Sequence, residues 1–237
     1  MESMFIGPTN SRRRFLDRVV YNFHTSHAKH LTKYDYYMKE RIKTLSQNRG
    51  QLQSSWLSTI ENKMTEEAMF VEKARKETIN HMQEAIDNLA TNFPKAKLTL
   101  SQLSEQQTQW SNFAEDYLKE LFQNRTKDSY SGRTNFGVHK SDLNVFHNEK
   151  QTPAKLCSTG EQKALLISII LASVESILKH TDCTPILLLD ELFVHLDDDR
   201  KKQLTKYITS TKLQTFVTAT DIVGIENMAL ESNIIKL

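Results

Sequence analysis

The chain has 237 residues, 38% of them hydrophobic, enough apolar matter for one large or two ordinary domains. Its 31 Lys and Arg nearly balance 29 Asp and Glu, for a formal charge of +2, and no apolar run approaches the length of a membrane span. Cys157 and Cys183 are two thiols without metal-ligand spacing, and with no secretory leader the sequence reads as a protein of a reducing, cytoplasmic compartment. The charge balance is nevertheless local: residues 1–50 hold ten Lys and Arg against four Asp and Glu, besides His24, His27 and His30. Such a face suits nucleic acid, and a solvated helix surface accounts for the same density.

In chain order, residues 1–10 are short and interrupted by Gly7-Pro8. From Arg12 onward Phe15, Leu16, Val19, Val20 and Phe23 fall on one helical face. After a break near Thr25-Ser26, Leu31, Tyr34, Met38, Ile42 and Leu45 repeat at three and four, and Asn48-Arg49-Gly50 supplies a stop. A second long helix carries Leu52, Trp56, Ile60, Met64, Ala68, Val71, Ile79, Met82, Ile86 and Leu89, ending at Phe93-Pro94. Two such helices joined near a glycine predict an antiparallel arm, with Trp56 and the methionines as packing residues. Residues 97–100 have the composition of a short strand, and a third helix follows with Trp110, Phe113, Tyr117 and Leu121 on one side. The polar stretch 124–135, which contains Gly132, reads as a connection, and residues 138–145 read as strand. The predicted boundary lies near residue 125, with a helical arm over 1–124 and half of an α/β domain over 125–237.

That second part is organised around P-I-L-L-L-D-E, residues 185–191. Four consecutive apolar residues after a proline predict a strand buried on both faces, as in a parallel sheet. Asp190 and Glu191 then stand at its carboxyl end, where open α/β sheets place their ligand crevice. The alternative is that the two acids merely open a loop. Upstream, C-S-T-G-E-Q over residues 157–162 precedes a helix apolar nearly all round, with Ser158 or Thr159 as its cap and Gly160 where backbone N–H groups approach an anion. Downstream, the acids of H-L-D-D-D-R at residues 195–200 cap another helix, and Q-T-F-V-T at 214–218 reads as a second buried strand, followed by A-T-D.

The order S-T-G-E-Q, long helix, apolar strand with D-E, then L-D resembles the signature motif, Walker B and D-loop of ABC-type ATPase heads, the P-loop NTPase group that includes the SMC proteins. The fuller string C-S-T-G-E-Q-K-A-L-L-I-S-I-I-L-A is similar to the RecF family of bacterial recombination mediators. So are G-R-T-N-F-G-V-H-K-S-D-L at residues 132–143, against a family pattern G-R-T-x-x-G-P-H-R-x-D-L, and S-R-R-R-F-L-D-R at residues 11–18. Val138 stands where that pattern has proline, and Thr159 replaces the first glycine of the general signature. The six glycines, at 7, 50, 132, 137, 160 and 224, are never followed by lysine, so no G-x-x-x-x-G-K-[ST] loop is present. The resemblance therefore implies the C-terminal half of an ABC-type ATPase head with a helical arm, its phosphate loop missing through truncation or supplied by another polypeptide.

By that resemblance, Asp190 would hold Mg²⁺ and Glu191 would orient or deprotonate the attacking water. Ser158, Thr159, Gly160, Glu161 and Gln162 would form the signature that meets an ATP held by the opposing head, and Asp197 would be the D-loop acid between the two sites. Thr220 or Asp221 would take the place of the histidine common after the next strand. The implied activity is ATP-dependent binding of DNA at gaps and junctions of single and double strands, in repair, replication and the SOS response to DNA damage, with RecO, RecR and RecA as partners. Arg12, Arg13, Arg14, Lys29 and Lys140 are the candidate phosphate contacts; for the arginine cluster, pairing with Asp17 or with the head is the competing reading. An inactive split or decayed remnant, acting only as an interaction module, is the competing function.

Overall fold

The computed structural model describes residues 3–47, 54–104, 111–190, 196–211 and 213–218. Its elements run α1 (Ser3–Ile6), α2 (Thr9–Phe23), α3 (His27–Gln47), α4 (Ser55–Asn88), β1 (Ala96–Leu100), α5 (Phe113–Ser131), β2 (Leu143–His147), β3 (Thr152–Pro153), α6 (Thr159–His180), β4 (Leu187–Leu189), α7 (Asp198–Ser210) and β5 (Thr215–Val217). The chain gathers into two compact units that interleave along the sequence. One comprises Pro8–Asn80 and Thr99–Asn144; the other comprises Met1–Gly7, His81–Leu98 and Val145–Leu237. Among the described residues no helix is long and apolar enough to cross a membrane.

The first unit is mainly helical. α3 and α4 are antiparallel, because their partners climb in opposite senses: Arg41 bonds Glu61, while His30 bonds Glu67. Between them lie Tyr34 and Leu45 of α3 and Leu57, Ile60, Met64, Ala68 and Val71 of α4, all buried at the spacing a helix face requires. Trp56 departs from the expected packing role and is 61% exposed. The inward stripe begins one residue later, at Leu57, and continues through Met64 and Ala68, so Trp56 lies about 100° away around the helix. The proposed stop at Asn48-Arg49-Gly50, together with Leu52 and Trp110, lies outside the described residues.

α5 is capped by Asn112, whose side chain accepts from Ala114 N, and ends at Gly132 in the left-handed region (φ 65°). Beyond it, residues 138–141 form a turn rather than the expected strand, and β2 begins only at Leu143. Val138 is fully buried because it packs with Tyr34 and Tyr117. Its carbonyl accepts from Arg75 Nη1 at 2.7 Å and from Ser141 Oγ at 2.9 Å, so its backbone is engaged outside any ladder.

A directed hydrogen-bond chain runs through this turn. His139 Nε2 lies 2.9 Å from the Thr134 carbonyl, which only accepts, so Nε2 carries the proton and Nδ1 receives the Tyr34 hydroxyl at 2.9 Å. Tyr34 in turn meets the Tyr117 hydroxyl at 3.1 Å. Burial pushes the His139 pKa down to about 4 and raises both tyrosines. The unfolded chain, with an ordinary histidine near pH 6.5, binds the proton first, so the folded state loses stability as pH falls from about 6.5 to about 4. His139→Gln should therefore flatten the acid limb of unfolding free energy in that window, by up to about 1.4 kcal/mol per pH unit. Urea melts at pH 4, 5, 6 and 7 measure it, and an unchanged slope would mean that His139 is already protonated in the folded protein.

In the second unit α6 is buried nearly all round, from Ala164 to Ile177. β4 and β5 pair in parallel, with Leu187, Leu188 and Leu189 opposite Thr215, Phe216 and Val217. Leu187 and Leu189 enter a core with Ile167, Leu171 and Val174 of α6 and Leu204 and Ile208 of α7. The expected burial of this strand on both faces is not met. Ile186, Leu188 and Phe216 are 58%, 69% and 54% exposed, because strand alternation turns them away from α6 and α7. Among the described residues nothing covers that face. β1, β2 and β3 form a separate sheet in that order, β2 and β3 being antiparallel with Phe146 opposite Pro153.

Candidate functional site

The acid at the end of the organising strand is fixed by its neighbour. The β4–β5 register continues one residue past both strands, since Thr218 N donates to the Leu189 carbonyl at 2.9 Å. That bond sets Thr218 beside Asp190, whose Oδ1 accepts from the Thr218 hydroxyl at 2.5 Å. Both side chains are exposed, and the short distance is that of a charge-assisted O–H···O⁻ bond. Glu191, Thr220 and Asp221 lie outside the described residues.

The beginning of α6 is equally specified by local chemistry. Ser158 is the cap, and with Glu161 it closes a capping box: Ser158 Oγ accepts from Glu161 N, while a Glu161 carboxylate oxygen accepts from Ser158 N at 2.9 Å. Lys150 pairs with the other oxygen of Glu161. The lysine, followed by the Ser158 bonds, holds the Glu161 carboxyl down at about pH 2. Ser158 and Thr159 are exposed and Gly160 is half-buried, so the helix tip faces solvent, with the Glu161 carboxylate folded back onto the Ser158 amide and hydroxyl. Gln162 points inward instead, donating to the Cys157 carbonyl at 2.9 Å and steadying the turn that presents Ser158. Asp197 caps α7, accepting from Arg200 N at 2.8 Å, with Asp198 and Asp199 in the first turn.

α6 and β4 share one core, so the acid-bearing strand end and the open helix tip belong to one compact unit. Lys150 carries no local signal that sequence reasoning can use. Thr218 does carry one: once the two strand ends are aligned in parallel, it falls opposite Asp190.

The candidate nucleic-acid contacts lie in the helical unit and differ among themselves. Arg12 grips Asp142 with two bonds, of 2.8 and 2.7 Å, and the carboxylate raises its pKa. Arg13 is half-buried and donates to the Ser141 carbonyl at 2.8 Å. Arg14, Lys29 and Lys140 are exposed. Asp17 takes Arg75 and His27 as partners. The cluster thus divides into two arginines that tie α2 to the turn before β2 and three outward cations.

No protein-family model matches the chain. The DNA replication and repair protein RecF of Rickettsia typhi is 48% identical over 241 residues, an alignment that takes in 100% of this chain and 66% of that protein. The protein of the same name from Rickettsia bellii gives the same identity and coverage, and that of Rickettsia prowazekii is 47% identical over 239 residues. The chain thus spans about two thirds of the length of these relatives. Among solved structures, the recombination mediator protein RecF-ATP in the RecFOR pathway superposes with a TM-score of 0.76 at 18% identity, covering 93% of this chain and 60% of that one. The corresponding RecF-ATPrS structure gives 0.75 at 19%. At such identity the likeness shows a common fold.

Proposed function

This chain belongs to the RecF family of DNA replication and repair proteins, and we propose that it supplies the signature helix and acidic strand end of a head that binds DNA in an ATP-dependent way. The DNA is gapped, with junctions of single and double strands, and the product of the work is help in loading RecA together with RecO and RecR. The setting is the cytoplasm and the SOS response. The helical unit acts as the arm and the unit that holds α6, β4, β5 and α7 as the C-terminal half of the ABC-type head, the boundary expected near residue 125 falling inside α5. The observation that carries this reading is the fixed carboxylate of Asp190, held at the end of a parallel strand pair that shares its core with an open, capped helix tip.

Asp190 suits Mg²⁺. A carboxylate is the hard ligand this ion takes, and the Thr218 bond engages Oδ1 alone. Mg²⁺ is commonly held by one or two carboxylates together with phosphate oxygens. When bound, Mg²⁺ neutralises charge that develops on the phosphates. The chain's own residues do the rest. Glu191 orients or deprotonates the water; Ser158, Thr159 and Gly160 present a hydroxyl and backbone amides to the γ-phosphate of the opposing head's ATP, with Glu161 and Gln162 shaping that tip. Asp197 links the two sites, and Thr220 or Asp221 contacts the water or phosphate region. Arg14, Lys29 and Lys140 meet DNA phosphates, while Arg12 and Arg13 are engaged by Asp142 and the Ser141 carbonyl, so binding weakens as salt rises.

The test is ATP turnover and nucleotide binding by the chain alone and by the chain mixed with a polypeptide carrying a G-x-x-x-x-G-K-[ST] loop. Turnover in the mixture that falls at least about 10²-fold in Glu191→Gln supports the reading. Nucleotide binding in neither arm favours an inactive remnant.

A further inference from the structure

We infer that Thr218 is a positioning residue for Asp190: its hydroxyl fixes the carboxylate so that one oxygen stays aimed at a divalent cation. The inference rests on the proposed head function and adds to it a residue outside the signature, the acidic pair and the D-loop. Three observations carry it. The backbone bond from Thr218 N to the Leu189 carbonyl, 2.9 Å long, locks the threonine in register one step past the last strand pair. The hydroxyl then reaches Asp190 Oδ1 at 2.5 Å without leaving the ladder. Leu189, immediately before the acid, is buried in the core with Leu171 and Val174, so the strand end itself is rigid.

An exposed aspartate on such an end still has two free side-chain rotors. A hydroxyl donor removes that freedom and spends only one of the carboxylate's oxygens. Orientation of a ligating carboxylate by an outer hydrogen bond is a general feature of metal sites, and its loss typically weakens metal binding about 10- to 100-fold. Threonine is suited to the task because its branched Cβ is at home in a strand while its Oγ1 donates. Valine keeps that shape and lacks the donor. Serine keeps the donor and lacks the methyl.

The experiment uses the full chain mixed with the loop-bearing polypeptide and ATP, with Mn²⁺ as the probe and free Mn²⁺ measured by electron paramagnetic resonance. Thr218→Val should weaken Mn²⁺ binding about 10-fold, and Thr218→Ser should stay within about 2-fold of the parent. In turnover assays the half-saturating Mg²⁺ concentration should rise in Thr218→Val while the rate at saturating Mg²⁺ changes much less. Circular dichroism of each variant confirms an intact fold. Equal Mn²⁺ affinity in parent and Thr218→Val overturns the inference while leaving the head function standing, and equal weakening in the valine and serine variants assigns the effect to packing and overturns it too. A parent mixture that binds no Mn²⁺ with ATP overturns the head reading itself.

Discussion

Replacing Arg41 with methionine should destabilise the protein by about 3–5 kcal/mol, the range for removing one partner from a buried ion pair. Arg41 is fully buried and spends its guanidinium on two other helices, α4 and α5. Nε meets Glu61 Oε1 at 2.8 Å, Nη1 meets Asp128 Oδ2 at 2.6 Å, and Nη2 meets the Leu121 carbonyl at 2.8 Å. Arg125 completes the set, donating to Glu61 Oε2 at 2.6 Å, so two cations face two carboxylates and the cluster is neutral. Methionine fills much of the volume but strands Asp128, which keeps only the Asn135 amides on Oδ1. The loss therefore comes chiefly from an uncompensated buried anion. Arg41→Met combined with Asp128→Leu should cost less than the sum of the single changes, because the second removes the stranded charge. Urea unfolding of the two singles and the double measures this coupling. A single-variant loss under about 1 kcal/mol would show that water reaches Asp128 and that the cluster is not truly desolvated.

That cluster also marks the limit of what the sequence discloses. The helical arm was legible because its apolar positions keep the 3.6 period: Leu16, Val19 and Val20 on α2, and Ile60, Met64, Ala68, Val71, Ile79, Met82 and Ile86 on α4, are all buried. Arg41 shares the face of Tyr34 and Leu45, seven residues after one and four before the other, yet a charged residue at such a position is ordinarily read as a break in the stripe. Only the partners, twenty and eighty-seven residues away, show why it is inside. The parallel pairing of the two late strands was legible from their apolar runs; the exposure of Leu188 and Phe216 was not, because burial on the second face depends on what packs there and not on the strand's own residues. The cap on α6 was narrowed to Ser158 or Thr159, and the reciprocal bonds with Glu161 decide for Ser158. The G-R-T-N-F-G-V-H-K-S-D-L stretch enters the sequence reading as a family pattern, with Lys140 as its candidate phosphate contact. In the fold much of it is internal: Thr134, Phe136, Val138 and Ser141 are buried, and Asp142 is taken by Arg12.

Gly137 within that stretch should tolerate alanine far less than Gly132 does, with a loss of about 3 kcal/mol or more against about 1–2 kcal/mol. Both glycines have positive φ, 137° and 65°, so both substitutions strain the backbone. What separates them is space. A Cβ at Gly132 would meet nothing within 4 Å, whereas one at Gly137 would stand 2.2 Å from the Tyr34 hydroxyl and 2.6 Å from that of Tyr117. Neither ring is free to retreat, since both are fully buried and Tyr34 also serves His139. Alanine at 137 must therefore push apart the hydrogen-bond chain that joins α3, α5 and the turn before β2. If close approach is the cause, Tyr117→Phe in the Gly137→Ala background should recover part of the loss, because it deletes one of the two clashing oxygens. Denaturant melts of Gly132→Ala, Gly137→Ala and the double variant decide it. Equal losses at the two glycines would reduce the effect to backbone strain alone, and no recovery with Tyr117→Phe would place the clash on Tyr34.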